Sequence, residues 1–121
     1  SSPSFPSPFE FILVFAKDTK KKKGTKDKIT VQRDDFIKNA WGMWTFAPET
    51  RQKKIGLSAM FPEELPRRCI EMLSYKEDVV FDPFCGLGTT CLVAKRLERN
   101  YIGFEMSVEY CKKARSRITN D

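Results

Sequence analysis

Histidine does not occur in this 121-residue chain. Catalysis that depends on an imidazole, and metal sites built from histidine, are therefore excluded. Long hydrophobic stretches are missing as well, because no apolar run approaches the roughly 20 residues of a membrane span. The N-terminus has neither the charged nor the apolar region of a signal peptide. It also begins without methionine, which suggests a fragment or a processed chain.

Cysteine occurs four times, but without the spacing of a metal site. Cys69, Cys91 and Cys111 fall in helical patterns, where reduced thiols often pack in a core. Cys85 lies in a turn that contains two glycines. We therefore expect free thiols and an intracellular, reducing environment.

The second half of the chain alternates between strand and helix patterns. The predicted strands are 79–82 and 101–105, and the predicted helices are 61–73, 89–98 and 108–118. This alternation with short connections predicts an α/β domain with a parallel, right-handed, doubly wound sheet. Pro66 is expected in the first turn of its helix. The apolar face of that helix would comprise Leu65, Cys69, Ile70, Met72 and Leu73.

The first half of the chain has less regular patterns. Phe9–Ala16 is nearly all apolar and rich in aromatic and β-branched residues, which predicts a buried strand covered on both faces. Residues 29–31 suggest a further short strand, and residues 35–40 a weak helix. The aromatic residues within 41–46 could stack on bases, but we expect them to fill the core of a small domain.

The net charge of +6 is unevenly distributed. Residues 1–60 contain 12 Lys/Arg against 6 Asp/Glu, whereas residues 61–121 are balanced. Seven lysines lie between Lys17 and Lys28, in a predicted loop with Gly24 as its turn, and Arg51–Lys54 forms a second basic patch. Such clusters suit a phosphate backbone, whose electrostatic attraction is independent of sequence. A solvated, mobile loop is the alternative interpretation.

The segment Asp82–Thr90 joins a predicted strand to a predicted helix through two glycines. Glycine lets the backbone pass close to a ligand, and a helix N-terminus offers unpaired N–H groups. Glu105 closes the next strand, so its carboxylate is expected at the same edge of the sheet. An acid in this position can accept hydrogen bonds from the two ribose hydroxyls of a nucleoside cofactor.

This turn differs from two common nucleotide-binding loops. Thr89-Thr90 follows where the dinucleotide fingerprint has its third glycine, and the Gly-Lys-Ser/Thr sequence of a phosphate loop is absent. Asp82 would repel a pyrophosphate, and it suits a positively charged group such as the amino group of a methionine moiety. These features favour S-adenosylmethionine over NAD or ATP. The alternative is a glycine turn with a purely structural role.

Asp82–Thr90, which reads Asp-Pro-Phe-Cys-Gly-Leu-Gly-Thr-Thr, resembles motif I of the S-adenosylmethionine-dependent DNA amino-methyltransferases, usually written Asp-Pro-Phe-x-Gly-Ser-Gly-Thr-Thr. Ala94–Glu105 is similar to the family's following helix and motif II, and Tyr110–Ile118 to its C-terminal helix. Residues 56–66 resemble motif X of the β group, although Leu57-Ser58 stands where the family often has His-Pro. The resemblance implies a Rossmann-like methyltransferase fold that is incomplete, with only its C-terminal half present.

The resemblance also implies roles for individual residues. The cofactor pocket would be lined by Asp82, Phe84, Cys85, Gly86, Gly88 and Thr89, with the ribose held by Glu105. A wall on the methionine or adenine side would be formed by Ala59, Phe61 and Pro62. DNA phosphates would be contacted by Lys20, Lys21, Lys22, Lys23, Lys26, Arg51, Lys53 and Lys54. The chain would divide into a DNA-facing segment, 1–55, and a cofactor-binding portion, 56–121.

The family's catalytic motif, Asp/Asn/Ser-Pro-Pro-Tyr/Phe, is missing, because the chain contains no Pro-Pro pair. In the family, the polar side chain and a backbone carbonyl of this motif accept hydrogen bonds from the target amino group, and its ring stacks on the flipped base. In the β-group order this motif lies upstream. We therefore expect no catalytic residue in this chain, no methyl transfer by the chain alone, and a complementary N-terminal half as its partner.

The implied substrate is double-stranded DNA with a flipped target base, and the implied location is the prokaryotic cytoplasm. The Phe-Pro-Glu-Glu-Leu-Pro form of residues 61–66 favours N4 of cytosine over N6 of adenine as the acceptor. Two alternatives stay open. One is a non-catalytic subunit that binds cofactor or nucleic acid. The other is an RNA amino-methyltransferase, which motif X directly before motif I disfavours.

Overall fold

The structure, a computed structural model that describes residues 9–18, 22–47 and 60–121, contains a sheet of two parallel strands packed against helices. A short 3-10 helix spans Lys26–Lys28. The α-helices are α1, Arg33–Asn39; α2, Glu64–Leu73; α3, Thr89–Arg96; and α4, Val108–Thr119. The strands are β1, Val79–Asp82, and β2, Asn100–Gly103. The predicted succession of helix, strand, helix, strand and helix from residue 61 onwards is confirmed.

The two strands pair in parallel, with Val79 opposite Asn100 and Asp82 opposite Gly103. The predicted parallel arrangement is therefore confirmed for the two described strands. Because both strands point the same way, Asp82 and the residues that follow Gly103 emerge at one edge of the sheet. This edge carries the candidate site.

Helix α3 forms most of the core. Four consecutive residues, Cys91–Ala94, are buried, and the helix contacts both strands as well as α2 and α4. Ile70 of α2 joins Val93 and Ala94 in one cluster, and Val80 of β1 packs against it. A helix that is apolar on several sides needs neighbours on several sides, and here four elements supply them.

Helix α2 has an amphipathic pattern that the structure uses in part. Its first residue is Glu64, so Pro66 falls in the first turn, where no helical hydrogen bond needs the missing N–H. Ile70 is buried as predicted, whereas Leu73 is mostly exposed. The predicted apolar face is therefore covered near its middle and open at its end.

Arg99 ties the two halves of the described chain together. Its guanidinium is buried and donates to the Ser74 hydroxyl at 3.0 Å, the Ser74 carbonyl at 2.8 Å and the Leu97 carbonyl at 2.7 Å. It also donates to the Thr30 hydroxyl at 2.9 Å. Burial lowers the pKa of Arg99, and these acceptors compensate for the loss of water around its charge.

The prediction of a buried strand at Phe9–Ala16 is wrong. These residues form no ladder with any described strand, and their apolar side chains are exposed, up to 86% for Phe15. A strand is stable only when another strand satisfies its backbone groups, and β1 and β2 pair with each other. The short strand predicted at 29–31 is also wrong, whereas the helix predicted at 35–40 is confirmed as α1.

The aromatic segment 41–46 does not fill the core, so this prediction is wrong too. Trp41 is exposed, and Trp44 and Phe46 are half-buried. Arg68 of α2 lies over both rings, with its guanidinium carbon 5.6 Å from the Trp44 centroid and 4.6 Å from the Phe46 centroid. The segment therefore lies against a cationic side chain on the surface of α2.

Gly24 was expected to be the turn of the basic loop, but residues 22–25 form no turn. A Cβ at Gly24 would come within 2.6 Å of the Tyr75 ring, so close packing explains this glycine. All four cysteines are free, as predicted. No helix among the described residues is long and apolar enough to cross a membrane.

Candidate cofactor-binding site

The turn between β1 and α3 has two glycines in the left-handed region, Gly86 with φ +52° and Gly88 with φ +74°. Both positions disfavour any residue with a side chain. They differ in their surroundings, however. A Cβ at Gly86 would have no atom of the described residues within 4 Å, whereas a Cβ at Gly88 would lie 3.1 Å from Cβ of Ala114 and 3.3 Å from Cδ1 of Ile118. Gly86 therefore leaves room beside the backbone, and Gly88 lets α4 pack closely on the turn.

Backbone hydrogen bonds hold this turn against the end of β2. The Cys85 N–H donates to the Phe104 carbonyl at 2.9 Å, and the Phe104 N–H donates to the Asp82 carbonyl at 2.9 Å. The Gly88 N–H donates to the Cys85 carbonyl at 2.7 Å. The Asp82 carboxylate accepts from the Phe84 N–H at 3.0 Å. Strand end and turn thus form one rigid edge.

Glu105 lies at this edge, where the sequence predicts it. One carboxylate oxygen accepts from the Ser107 N–H at 2.8 Å, and Ser107 in turn caps α4 by accepting from Tyr110 N–H at 3.3 Å. The pKa of the Cys85 thiol is raised by burial, then by the negative charges of Asp82 and Glu105. Both carboxylates therefore act on the same thiol, and the structure brings the two acids together around the turn.

The thiols of Cys85 in the turn and Cys91 in α3 both have raised pKa values. Burial, followed by the nearby Cys85 and Asp82, raises the pKa of Cys91 to about 11. A Cβ at Gly103 would lie 2.8 Å from Cys91 Sγ and 2.9 Å from Cys85 Sγ, so both sulfurs pack on the β2 backbone. A thiol whose pKa is raised stays protonated at neutral pH and is a poor nucleophile. We therefore assign the two thiols to packing and not to chemistry.

Thr89 and Gly88 are buried, and the contacts they make belong to the scaffold. The Thr89 side chain is 6% exposed, and its hydroxyl accepts from Arg117 of α4 at 3.3 Å. The structure thus directs this side chain toward α4. A contact between Thr89 and a cofactor stays a prediction.

Two exposed aromatic side chains lie close to the turn in the chain and in the sheet. Phe84 is 88% exposed, and Phe104 is also exposed. Phe104 stacks edge-to-face on Phe81 with ring centroids 5.1 Å apart. The sequence predicted Phe84 as a site residue but missed Phe104. The signal for Phe104 is its position directly before Glu105, at the end of a strand that faces the same edge.

A cavity of about 470 Å³ lies between α2 and β1. Its walls include Phe61, Asp82 and Thr90, together with Ile12, Leu65, Pro66, Cys69, Ile70, Leu73, Ser74, Val80 and Phe81. Phe61 therefore shares a cavity with Asp82, and its place in the wall of a cofactor pocket stays a prediction. Pro62 follows directly and accepts from the Leu65 N–H at the start of α2. Ala59 lies outside the described residues.

Most of the other predicted site residues lie at the sheet edge outside this cavity. Phe84, Cys85 and Gly86 belong to the turn, Glu105 follows β2, and Asp82 lies in the cavity wall and at the start of the turn. The cavity is mostly apolar, so the polar groups available to a ligand are those of the turn. A polar ligand would therefore be anchored by the turn, and its apolar part could enter the adjoining cavity.

The predicted DNA-contacting lysines are only partly described. Lys20, Lys21, Arg51, Lys53 and Lys54 lie outside the described residues. Lys23 and Lys26 are exposed, whereas Lys22 forms an ion pair with Asp78 at 3.0 Å. Lys28 also pairs with an acid, Glu77, which raises its pKa. The described part of the loop is thus tied to the connection before β1, and Lys23 and Lys26 stay open to solvent.

The donor set suits a nucleoside cofactor with a positively charged tail. Two carboxylates lie at the same sheet edge as the open backbone at Gly86, and the rings of Phe84 and Phe104 nearby are exposed. Among the described residues, no group of three acidic, cysteine or histidine side chains could hold a metal ion. The residues present therefore fit an S-adenosylmethionine-like ligand better than a metal or a pyrophosphate.

Comparison with known proteins gives the family of this chain. A family model described as DNA methylase, N6_N4_Mtase, matches residues 1–116. The Type II methyltransferase M.MjaI of Methanocaldococcus jannaschii is 38% identical over 104 residues, which cover 80% of this chain and 34% of that protein. The Type II methyltransferase M.HinfI of Haemophilus influenzae is 34% identical, with 88% of this chain and 32% of that protein covered.

Solved structures show the same relationship. TTHA0409 of Thermus thermophilus, assigned as a DNA modification methylase and complexed with S-adenosyl-L-methionine, matches with a TM-score of 0.69 and 31% identity over 82% of this chain and 39% of that one. The cytosine-N4-specific PvuII DNA methyltransferase matches with a TM-score of 0.55 and 28% identity over 69% of this chain and 39% of that one.

The chain belongs to the S-adenosylmethionine-dependent DNA amino-methyltransferases. Its α/β structure is a partial Rossmann-like methyltransferase fold, as the sequence predicted. The chain spans about a third of the length of the curated relatives named above.

Proposed function

We propose that this chain is the S-adenosylmethionine-binding part of a DNA amino-methyltransferase that acts on N4 of cytosine. The observation that carries the proposal is the turn itself, with an open glycine at Gly86 and two carboxylates at one edge of a parallel sheet. Ligands of open α/β sheets bind at this edge, beyond the carboxyl ends of the strands. The cofactor bound to TTHA0409 supports the same assignment.

Each acid has a separate task in this proposal. Asp82 attracts the cationic methionine end of the cofactor, and its side chain is already oriented by the Phe84 N–H. Glu105 accepts hydrogen bonds from the ribose hydroxyls with the oxygen that does not bind Ser107 N–H. Phe61 and the adjoining cavity walls exclude water from one side of the cofactor. When bound, S-adenosylmethionine supplies the methyl group on a positively charged sulfur.

Presentation of the acceptor base belongs to another polypeptide segment in this proposal. The chain has no Pro-Pro pair, so nothing in it matches the motif that holds the target amino group. The sheet also has an uncovered apolar face, formed by Val79, Phe81, Ile102 and Phe104. Parallel sheets are normally covered on both faces. A complementary N-terminal half would cover this face and complete the acceptor side.

The choice of base depends on residues 61–66, whose Phe-Pro-Glu-Glu-Leu-Pro sequence resembles cytosine-N4 enzymes. Similarity to the cytosine-N4-specific PvuII enzyme supports it. N6 of adenine is the alternative acceptor. A non-catalytic subunit is the second candidate function, favoured by the missing Pro-Pro motif. In either case Lys23 and Lys26 are available to contact phosphates of the DNA backbone.

Calorimetric titration with S-adenosylmethionine tests the cofactor site. We expect Glu105→Gln to weaken binding roughly tenfold, because a charged acceptor of the ribose hydroxyls is lost while the side-chain volume stays the same. Glu109→Gln removes the same charge from an exposed position of α4 and is the matched control, with affinity expected within about twofold of wild type. Equal affinities for the wild-type protein and Glu105→Gln would remove Glu105 from the site.

Methyl transfer from labelled S-adenosylmethionine to double-stranded DNA tests the acceptor side. We expect none from this chain alone, and transfer to cytosine N4 once a segment with the Pro-Pro motif is added. Nuclease digestion and chromatography would separate N4-methylcytosine from N6-methyladenine. Methyl transfer by the chain alone would contradict the proposal that another polypeptide segment presents the acceptor base. Cofactor binding without transfer in the presence of that segment would favour the non-catalytic subunit.

A further inference from the structure

Arg117 reaches from α4 to the glycine turn. Its Nη1 donates to the Leu87 carbonyl at 2.7 Å and to the Thr89 hydroxyl at 3.3 Å. Leu87 is 3% exposed and Thr89 is also buried, so these bonds form where water does not compete. A charged donor to a buried carbonyl is among the stronger hydrogen bonds in a protein.

The Leu87 carbonyl and the Gly88 N–H belong to one planar peptide group. Arg117 binds the oxygen of this group, and the Cys85 carbonyl accepts from its nitrogen at 2.7 Å. The peptide is thus held at both ends. On its C-terminal side is Gly88 in the left-handed region, where the backbone of a glycine would otherwise rotate with little resistance.

Helix α4 is well placed to carry this arginine. Ala114 and Ile118 contact the position where Gly88 would have a Cβ, and they lie on the same face of the helix as Arg117. At the end of α4, Lys95 of α3 donates to the Ile118 carbonyl at 2.6 Å. The helix is therefore fixed against both the turn and α3, and the guanidinium approaches the turn from a defined direction.

We propose that Arg117 is a positioning residue for cofactor binding, which holds the Leu87–Gly88 peptide so that the open backbone at Gly86 keeps the shape that receives the ligand. This role rests on the proposed function of the turn, but the rigidity that it requires can be measured without a ligand. Arg117 contacts the turn from α4, through the carbonyl of the residue that follows Gly86.

Amide hydrogen exchange, followed residue by residue in the ligand-free protein, tests this role. We expect Arg117→Met to accelerate exchange of the Gly88 amide roughly tenfold relative to the Leu97 amide, which is hydrogen-bonded at the far end of α3. Arg115→Met, at an exposed position of the same helix, should leave both rates unchanged. Arg117→Lys keeps the charge and a donor, and it should recover part of the protection.

Titration with S-adenosylmethionine completes the test. Affinity should fall roughly tenfold in Arg117→Met, recover in part in Arg117→Lys and stay within about twofold in Arg115→Met. Exchange rates of Gly88 equal in the two methionine variants would overturn the proposal, as would faster exchange spread evenly over α3 and β1. A wild-type protein that binds no cofactor would instead contradict the proposed function, and the exchange result would still decide the role of Arg117.

Discussion

Residues 60–121 and residues 9–47 contain similar apolar side chains, but the described ones are buried more often in the first region than in the second. In the first region, Cys91–Ala94 are buried among four neighbouring elements. In the second, Phe11, Leu13 and Phe15 are all more than two thirds exposed. The proportion of apolar residues does not separate the two regions. The difference teaches that an apolar run is buried only where neighbouring elements can cover it.

The two regions meet along a polar seam. Thr30 accepts from Arg99 at 2.9 Å, and the Lys76 N–H donates to the Lys28 carbonyl at 2.9 Å. Trp44 and Phe46 lie against Arg68, which also pairs with Glu64 at 2.8 Å. The first region is therefore attached by hydrogen bonds and cation–π contacts, which contribute less than shared apolar burial.

Two glycines with nearly equal φ angles, one in each region, allow a direct comparison of the two regions. Gly42 has φ +77° with nothing within 4 Å of an added Cβ, and Gly88 has φ +74° with Ala114 at 3.1 Å. We expect Gly42→Ala to lower the free energy of unfolding by about 1–2 kcal/mol through backbone strain. Gly88→Ala should cost a further 1–3 kcal/mol or so, because Ala114 and the turn must separate. Urea denaturation measures both, and equal losses would contradict the packing role of Gly88.

We expect the ion pairs within α2, beside this seam, to make the stability depend on pH. Hydrogen bonds from Arg67, and then from Arg68, lower the pKa of Glu64 from 4.5 to about 2, against an opposing effect of burial. A lowered pKa in the folded state stabilises the protein above pH 4.5, and this contribution disappears as the pH falls toward 2. Because Glu64 is partly exposed, we expect about 1 kcal/mol. The difference in unfolding free energy between wild type and Glu64→Gln should therefore shrink between pH 6 and pH 2.5 or so. If the difference in unfolding free energy between wild type and Glu64→Gln does not change with pH, the ion pairs of Glu64 are not the source of that difference.

The smallest effect is expected in the exposed segment. Phe15→Ser should change the free energy of unfolding by less than about 0.5 kcal/mol, because the ring is already in water. A buried strand residue would instead lose about 3–5 kcal/mol on truncation. Repeating the measurement with a complementary half added sharpens the comparison, since a loss that appears only then would show that the segment is covered in the complex.

The local pattern of apolar and polar residues was sufficient to predict the strands and helices that surround the turn. The strands β1 and β2 and the helices α3 and α4 follow the predicted order, and Asp82 and Glu105 lie at one edge because parallel strands end together. The Phe9–Ala16 strand was wrong because pairing depends on partners far away in sequence. The direction of the Thr89 side chain could not be predicted either, since Arg117 lies 28 residues away.

The sequence by itself determined the place of the turn between β1 and α3, its two glycines and the acids at the ends of the two strands, because these features depend on residue type and on local periodicity. It also determined the absence of the Pro-Pro motif. The tertiary structure alone decided which glycine is open and which is packed, that Arg117 holds the Leu87–Gly88 peptide, and that one face of the sheet is uncovered. Each of these depends on distances between elements far apart in the chain, which periodicity and spacing do not specify.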